Sequence, residues 1–263
     1  MEQDLGGKRA FVSGATQGIG FAIARQLAEA SASVVVNGRG EERVRAACER
    51  LRTLVPGADI DGIAADFAAP EQVDGLLSEL GEVDILVNNV GLFGVAPFAD
   101  VPDEEWRRYF EVNVMSGVRL SRLVLPGMLD RGRGRILFVS SESGVNVPAD
   151  MVHYGVSKAA MIALANGLAK LTRGTAVTVN TILGGPTYSD GVAEAVEGIA
   201  RVQGLPPEQV KESIISANAT TLLQRFIEPD EIAHLARYLA SSLSSATNGA
   251  TLRADGGVLT TLL

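Results

Sequence analysis

Short runs of apolar, often β-branched residues alternate along the chain with longer segments whose apolar residues recur at helical spacing. Several short runs are apolar at consecutive positions, which is typical of strands that helices cover on both faces. Strands that alternate with helices favour parallel βαβ units. The pattern predicts an α/β fold of three layers, with a doubly wound, seven-stranded parallel sheet between two layers of helices. The predicted strands are Arg9–Ser13, Ser33–Asn37, Ile60–Ala65, Ile85–Asn88, Arg135–Ser140, Val177–Leu183 and Ala250–Arg253.

Helical spacing and start signals place the main helices between these strands. Helices are predicted over Gly18–Ala30, Glu41–Val55 and Val152–Leu171, and further helices are predicted to begin near Asp103 and at Pro229. The last two have a proline and acidic residues at their start, which suits a helix N-terminus and its dipole.

The alternation is interrupted between Thr187 and Ile227. Two short helices are predicted there, on either side of Gly204-Leu205-Pro206-Pro207. An insertion after the sixth strand lies beside the carboxyl ends of the strands, where open α/β sheets bind ligands. We expect a single domain over residues 1–263 with a substrate loop at about 187–227, a stabilising surface excursion being the alternative.

Composition and charge narrow the function classes. The chain of 263 residues has a formal net charge of −8 and one cysteine, Cys48. Its N-terminus lacks the basic start and apolar run of a secretory signal, and no apolar stretch approaches the roughly 20 residues of a membrane span. We expect a cytoplasmic protein that binds no membrane and no nucleic acid, because nucleic-acid binding needs clustered cations. No metal site is predicted, since no histidine or cysteine has a partner at ligand spacing.

The first predicted strand runs into a glycine-rich turn and then into a helix. The turn reads Ser13-Gly14-Ala15-Thr16-Gln17-Gly18-Ile19-Gly20. Gly14 permits the tight turn, Gly18 lets the backbone approach a pyrophosphate, and Gly20 lets the helix lie close to the strand. The free N–H groups of the helix then face the phosphates. This context predicts a Rossmann-type dinucleotide site.

The residues after the second strand indicate which dinucleotide binds. A carboxylate there would hydrogen-bond the adenosine ribose of NAD, but the segment is Asn37-Gly38-Arg39. Arg39 can pair with a 2′-phosphate, so NADP(H) is favoured over NAD(H), a solvated charge being the alternative. Asp66 could accept from the adenine amino group, and Asn88-Asn89-Val90-Gly91 suits a sharp turn against the cofactor.

Tyr154 and Lys158 are the residues whose spacing points to chemistry. Four positions apart on a helix, they share one face. A free phenol has a pKa of about 10, and a nearby cation lowers it toward the range that acid–base catalysis needs. Ser141 follows the fifth strand, and its hydroxyl could donate to a carbonyl oxygen beside the phenol. Asn113 is a poor helix former inside the helix that begins near Asp103, and is predicted to hold a backbone irregularity or an ordered water.

In their order along the chain, these residues resemble the motifs of the short-chain dehydrogenase/reductase family. The resemblance extends from Lys8 to Gly257 and departs from the family pattern at Ser13, where the family usually has Thr, and at Gly184, where it has Pro. The residues that match the family motifs are Gly14, Gly18, Gly20, Asn88, Asn89, Val90, Gly91, Asn113, Ser141, Tyr154 and Lys158.

The resemblance implies a role for each of the four catalytic candidates. Tyr154 exchanges a proton with the substrate oxygen while hydride moves between the nicotinamide and carbon. Ser141 polarises the carbonyl, Lys158 holds the nicotinamide ribose and lowers the tyrosine pKa, and Asn113 positions a water that links Lys158 to solvent. The implied cofactor contacts are Gly14, Thr16, Gln17, Gly18, Ile19, Gly20, Arg39, Asp66, Asn89, Gly91, Tyr154, Lys158, Thr187 and Ser189.

Three functions remain open at this stage. The first is an NADP(H)-dependent oxidoreductase that interconverts a carbonyl and a secondary alcohol. The second is a reductase of 3-oxoacyl thioesters, in which Arg131, Arg133 and Arg135 would meet an acidic carrier instead of forming a solvated turn. The third is a non-catalytic dinucleotide-binding sensor. A homodimer or homotetramer is expected from the family, and a small apolar or aromatic substrate from the apolar residues near the motifs, which are Phe93, Val145, Val147, Met151 and Tyr188.

Overall fold

Seven parallel strands form one sheet in the computed structural model, which describes residues 4–218 and 220–262. The strands are β1 (Arg9–Val12), β2 (Ser33–Gly38), β3 (Ile60–Ala64), β4 (Ile85–Asn88), β5 (Arg133–Ser141), β6 (Ala176–Gly184) and β7 (Thr251–Ala254). Their spatial order is β3-β2-β1-β4-β5-β6-β7. The strand order reverses between β1 and β4, and ligands of doubly wound sheets bind at this switch point. The predicted fold class is therefore confirmed.

The described helices follow the predicted positions, with one addition. They are α1 (Gly18–Glu29), α2 (Glu41–Leu54), α3 (Pro70–Glu79), α4 (Asp103–Tyr109), α5 (Ser116–Asp130), α6 (Val152–Leu171), α7 (Asp190–Gln203), α8 (Pro207–Ala217) and α9 (Pro229–Ala240). The sequence interpretation missed α3, although Pro70 and Glu71 provide the proline and the acid that begin a helix.

Each face of the sheet buries its own apolar cluster. Val12, Val34 and Val87 point to the side covered by α1, α2 and α9. Phe11 and Leu86 point to the side covered by α3, α5 and α6. Each fully buried side chain of this kind contributes roughly 1.5–3 kcal/mol relative to exposure. Packing on both faces holds the sheet in place, and the sheet in turn positions the loops that follow the carboxyl ends of the strands.

The helix that begins at Asp103 is irregular at Asn113, as predicted. A π-helical turn over Phe110–Met115 joins α4 to α5, and Asn113 lies inside it with its side chain fully buried. Turns of this kind occur frequently at functional sites.

The segment between Thr187 and Ile227 contains the two expected helices, α7 and α8. Gly204 ends α7 in the left-handed conformation, with φ of +67°. Within residues 4–218 and 220–262, no helix combines the length and apolar character needed to cross a bilayer.

The predicted arginine turn lies only partly before β5, because Arg131 is in the turn whereas Arg135 and the exposed Arg133 lie within the strand. Arg131 donates to the carbonyl of Val83 at 3.1 Å, and Arg135 donates to the carbonyl of Ala176 at 2.8 Å. These cations anchor backbone at the amino-terminal end of β5, whereas Ser141 ends the strand. Nine residues of strand separate the two ends by roughly 26 Å at about 3.3 Å per residue.

Candidate active site

The glycine turn after β1 has the close approaches that only glycine allows. Gly14 and Gly18 have φ of +62° and +59°, in the left-handed region. A Cβ on Gly14 would lie 2.9 Å from Cα of Val90, and a Cβ on Gly20 would lie 2.5 Å from Nδ2 of Asn89. Gly20 therefore brings α1 against the turn, as the sequence predicted.

Polar side chains from neighbouring strands hold the glycine turn in place. Asn89 Nδ2 donates to the carbonyls of Ser13 and Gly14 at 3.0 and 2.9 Å. Asn37 Oδ1 accepts from the Gly14 N–H at 3.2 Å. Asn37 and Asn89 thus fix the turn through its backbone. Sequence reasoning assigned Asn37 no role in the site, although its place at the end of β2 was a signal.

A cleft lies beyond the turn, over the carboxyl ends of β1, β2 and β3. Thr16, Gln17, Arg39 and Asp66 line it, and these are residues that the sequence predicts to contact a cofactor. Arg43, which was missed, lines it too. Arg39 and Arg43 are exposed and form no salt bridge within the described part of the chain. Two unpaired guanidiniums fit a phosphate group at this end of the cleft.

Asp66 and Ile19 both make contacts within the chain. Asp66 Oδ1 accepts from the Ala68 N–H at 2.9 Å and so closes the turn after β3. The Ile19 side chain is half-buried and packs against the apolar cluster beneath α1. Asp66 still lines the cleft.

The N-terminus of α1 already carries an anionic group from the same chain. Gln17, its N-cap residue, makes no side-chain capping bond. Oδ2 of Asp190, the first residue of α7, accepts from the Gly18 N–H at 2.6 Å. A negatively charged oxygen at this N–H is what a pyrophosphate would provide, so the turn fits a dinucleotide. Sequence reasoning missed Asp190.

Thr187 and Ser189, both in the loop after β6, differ in their surroundings. Ser189 Cβ would lie 3.3 Å from a Cβ on Gly18, so Ser189 stands beside the glycine turn. Thr187 is buried, and its hydroxyl donates to the carbonyl of Gly185 at 2.8 Å. The Thr187 hydroxyl is therefore engaged within its own loop.

The four catalytic candidates come together at the carboxyl ends of β4 and β5. Lys158 Nζ lies 5.7 Å from the centre of the Tyr154 ring and donates to the carbonyl of Val139 at 3.1 Å. A Cβ on Gly91 would lie 3.3 Å from Lys158 Nζ and 3.4 Å from Asn113 Oδ1. A side chain at Gly91 would therefore lie in tight contact with the lysine and the asparagine.

Asn113 braces the loop after β4. Its Oδ1 accepts from the Leu92 N–H at 2.6 Å, and its Nδ2 donates to the Leu92 carbonyl at 3.0 Å and to Ser157 Oγ at 2.8 Å. Both protons of the amide are used in this way. The π-helical turn thus directs a buried amide onto the loop that passes Lys158.

The ionisation of the tyrosine–lysine pair is governed by burial. Burial is the main cause of the raised pKa of Tyr154, and the charges of Glu142 and Tyr109 raise this pKa further. The Ser141 hydroxyl opposes the rise by hydrogen bonding to the phenol. Burial lowers the pKa of Lys158 to about 8, and the charge of Glu142 opposes that fall. Burial is the largest influence on the pKa of Tyr154 in this structure, and the expectation that Lys158 lowers that pKa stays a prediction.

Glu142 is a carboxylate in this group that sequence reasoning missed. The Ser141 hydroxyl donates to Glu142 Oε2, and the Ser143 hydroxyl donates to Glu142 Oε1 at 3.3 Å. Burial raises the pKa of the Glu142 carboxyl, while both serines stabilise its charged form. Its position next to Ser141 was the signal in the sequence.

The apolar residues that lie near the motifs in the sequence differ in their exposure. Phe93, Val145 and Val147 are exposed although they are large and apolar. Tyr188 packs against Phe226 at 5.5 Å between ring centres, and Met151 is half-buried before α6. Within the described residues, no group of three or more histidine, cysteine or acidic side chains could hold a metal ion.

Comparisons with known proteins agree with this geometry. A family model described as short chain dehydrogenase matches residues 8–200. The uncharacterized oxidoreductase YvaG of Bacillus subtilis is 43% identical over 260 residues, which cover 98% of each protein. D-beta-hydroxybutyrate dehydrogenase of Cupriavidus necator is 34% identical over 257 residues, covering 96% of this chain and 98% of that protein.

A solved structure extends the likeness to three dimensions. L-sorbose reductase from Gluconobacter frateurii, complexed with NADPH and L-sorbose, has a TM-score of 0.93 at 31% identity, with 100% of each chain covered. The fold, the glycine turn and the full-length relatives lead to one assignment. The chain belongs to the short-chain dehydrogenase/reductase family and is an oxidoreductase that acts on C=O and CH–OH groups.

Proposed function

We propose that this chain is an NADP(H)-dependent reductase that converts a ketone to a secondary alcohol, with Tyr154 as the proton donor. The observation that carries the proposal is the meeting of Tyr154, Lys158 and Ser141 beside the loop after β4. A phenol, an ammonium and a hydroxyl at one place match the needs of a carbonyl oxygen that gains negative charge.

The residues of this chain supply the proton and the electrostatic support. The reduced dinucleotide, when bound, supplies the hydride that the carbonyl carbon gains. Tyr154 gives its proton to the carbonyl oxygen, so that C=O becomes CH–OH. The raised pKa keeps the phenol protonated at neutral pH, which suits a donor in reduction and disfavours a base in oxidation. Ser141 donates to the same oxygen, and Lys158 supports the phenolate that remains.

The preference for NADP(H) rests on the cations of the cleft. Arg39 and Arg43 line it without a carboxylate partner in the described chain, and guanidinium pairs well with a 2′-phosphate. The cofactor would be held by the glycine turn, by these arginines, by Ser189 and by Lys158. The NADPH complex of L-sorbose reductase supports the same choice.

Several wider expectations belong to the same proposal. The segment from Thr187 to Ile227 covers the substrate, and the exposed Phe93 and Val147 provide apolar contact with it. Family membership supports a homodimer or homotetramer. The buried, unpaired Cys48 is in keeping with the cytoplasm as the compartment.

A reductase of carrier-bound 3-oxoacyl thioesters is the second candidate. The ketone chemistry would be the same, but Arg131 and Arg135 anchor backbone at the opposite edge of the sheet from Ser141. A carrier that docked on them could not deliver a substrate to Tyr154. A non-catalytic sensor would have no use for a buried phenol beside a buried ammonium.

The test is oxidation of NADPH, with NADH in parallel, against ketones, quinones and 3-oxoacyl thioesters. The proposal expects turnover of a free ketone with NADPH preferred. Turnover restricted to carrier-bound thioesters would favour the second candidate. Cofactor binding without turnover in either direction on the whole panel would favour the sensor.

A further inference from the structure

Glu142 places a carboxylate among the groups that meet the substrate oxygen. It is half-buried, and its two oxygens accept from the hydroxyls of Ser141 and Ser143. Its charge acts on Tyr154, where burial is the larger cause of the raised pKa, and on Lys158, where it opposes the effect of burial. The carboxylate therefore lies close to the phenol, the ammonium and the serine together.

The single proton of the Ser141 hydroxyl cannot serve two acceptors. In the free site Glu142 Oε2 accepts it, with the Tyr154 phenol oxygen as a second acceptor nearby, while Ser141 Oγ accepts from the Ser143 N–H at 3.1 Å. To polarise a carbonyl, Ser141 must turn its proton away from Glu142. The carboxylate then loses a hydrogen bond in a partly buried place, which carries a cost unless another donor arrives.

We infer that Glu142 accepts a hydrogen bond from a substrate hydroxyl on the carbon next to the carbonyl, so that the preferred substrates are α-hydroxy ketones. The inference rests on the proposed reductase function. Because Glu142 lies one hydrogen bond from Ser141, a carbonyl oxygen on Ser141 brings the neighbouring substituent within reach of the carboxylate. The substrate hydroxyl replaces the serine proton on Glu142 and frees that proton for the carbonyl.

The same carboxylate selects against anionic substrates. A ketone with a carboxylate on the adjacent carbon would place two like charges side by side in a site of reduced dielectric, which is unfavourable. An alkyl group there would leave Glu142 Oε2 without a donor once Ser141 turns to the carbonyl. Glu142 thus ranks substrates by the group beside the carbonyl: hydroxyl first, alkyl next and carboxylate last.

The experiment compares hydroxyacetone, butanone and pyruvate, which differ mainly in that group. Hydroxyacetone and butanone have nearly the same shape, one ending in hydroxyl and the other in methyl. Their kcat/KM values with NADPH are measured for the wild type, for Glu142→Gln and Glu142→Ala, and for Glu49→Gln. Glu49 is exposed on α2 and serves as the matched control.

The expected result is a ratio of kcat/KM, hydroxyacetone over butanone, that is roughly ten-fold or more in the wild type and in Glu49→Gln. The ratio falls toward one in Glu142→Ala, because a hydrogen bond to a charged group is worth about ten-fold or more. It falls part of the way in Glu142→Gln, whose amide oxygen accepts a weaker, neutral hydrogen bond. Activity on pyruvate rises in Glu142→Gln. An unchanged ratio, or pyruvate activity that falls, would overturn the inference.

A binding measurement separates this inference from the reductase proposal. Hydroxyacetone is titrated calorimetrically into the wild type and Glu142→Gln, each saturated with NADP⁺, so that no turnover is needed. Weaker binding to Glu142→Gln supports the inference even if no ketone is reduced, in which case the reductase proposal alone fails. Equal binding overturns the inference even if ketones are reduced.

Discussion

Asp190 competes with the cofactor for the glycine turn, and removing its charge is expected to tighten binding of NADPH. Its carboxylate accepts from the Gly18 N–H at 2.6 Å, at the N-terminus of α1 where a pyrophosphate would bind. A dinucleotide must displace this group and then tolerate it nearby. Asp190 lies at the start of α7, so the displacement also moves the first turn of that helix.

The size of the expected change in the Kd for NADPH follows from the exposure of the contact between Asp190 and Gly18. Asp190 is exposed, and an exposed anion at a helix N-terminus is worth about 0.3–1 kcal/mol. Repulsion between the displaced carboxylate and the bound phosphates adds about 1 kcal/mol at 4 Å in water. Asp190→Asn should therefore lower the Kd for NADPH by about ten-fold or more, and added salt should reduce this gain.

The assay is a fluorescence titration of NADPH, with Asp103→Asn as the control. Asp103 is also the first residue of a helix, α4, so both variants remove an acid from the same helical position. The reasoning is refuted if Asp190→Asn binds NADPH no more tightly than Asp103→Asn does. Weaker binding would mean that Asp190 helps to hold the cofactor.

Three further predictions use the same geometry. Replacing Arg39 and Arg43 together with serine should lower the NADPH-over-NADH ratio of kcat/KM by about ten-fold or more, and an unchanged ratio would remove the arginines from cofactor selection. Gly20→Ala should lower the free energy of unfolding by about 1–3 kcal/mol in thermal unfolding and weaken cofactor binding, because the new methyl group meets packed atoms. Gly167→Ala is the control: its methyl group would enter open space, so the stability of the fold should be unchanged or higher. Burial lowers the pKa of Lys158 to about 8, so the lysine is charged below that pH and neutral above it. The kcat/KM for reduction should therefore fall as the pH rises through about 8. A flat profile to about pH 10 would contradict a role for the charge of the lysine.

The fold was predictable because its signals are local. The alternation of apolar runs and helical segments predicted the seven strands, and the glycine spacing predicted the turn after β1. Asn113 was expected to mark an irregular helix because its helix propensity is poor, and a π-helical turn lies there.

The missing parts of the site depend on contacts between distant segments. Asp190 and Gly18 are 172 positions apart, and nothing in either segment indicates that they touch. The raised pKa of Tyr154 depends on burial that only packing establishes, so the spacing to Lys158 could not indicate it. Glu142 is the exception, because it directly follows Ser141 and its place beside that residue was a local signal.

The central claim is that Tyr154 donates the proton in ketone reduction, and replacing it with phenylalanine tests this most directly. Single-turnover reduction by NADPH is measured for Tyr154→Phe and for Tyr238→Phe, a matched change on α9. The account predicts a rate loss of roughly 10²–10⁴-fold in Tyr154→Phe, with NADPH still bound, and little change in Tyr238→Phe. A Tyr154→Phe rate close to that of the wild type would contradict it.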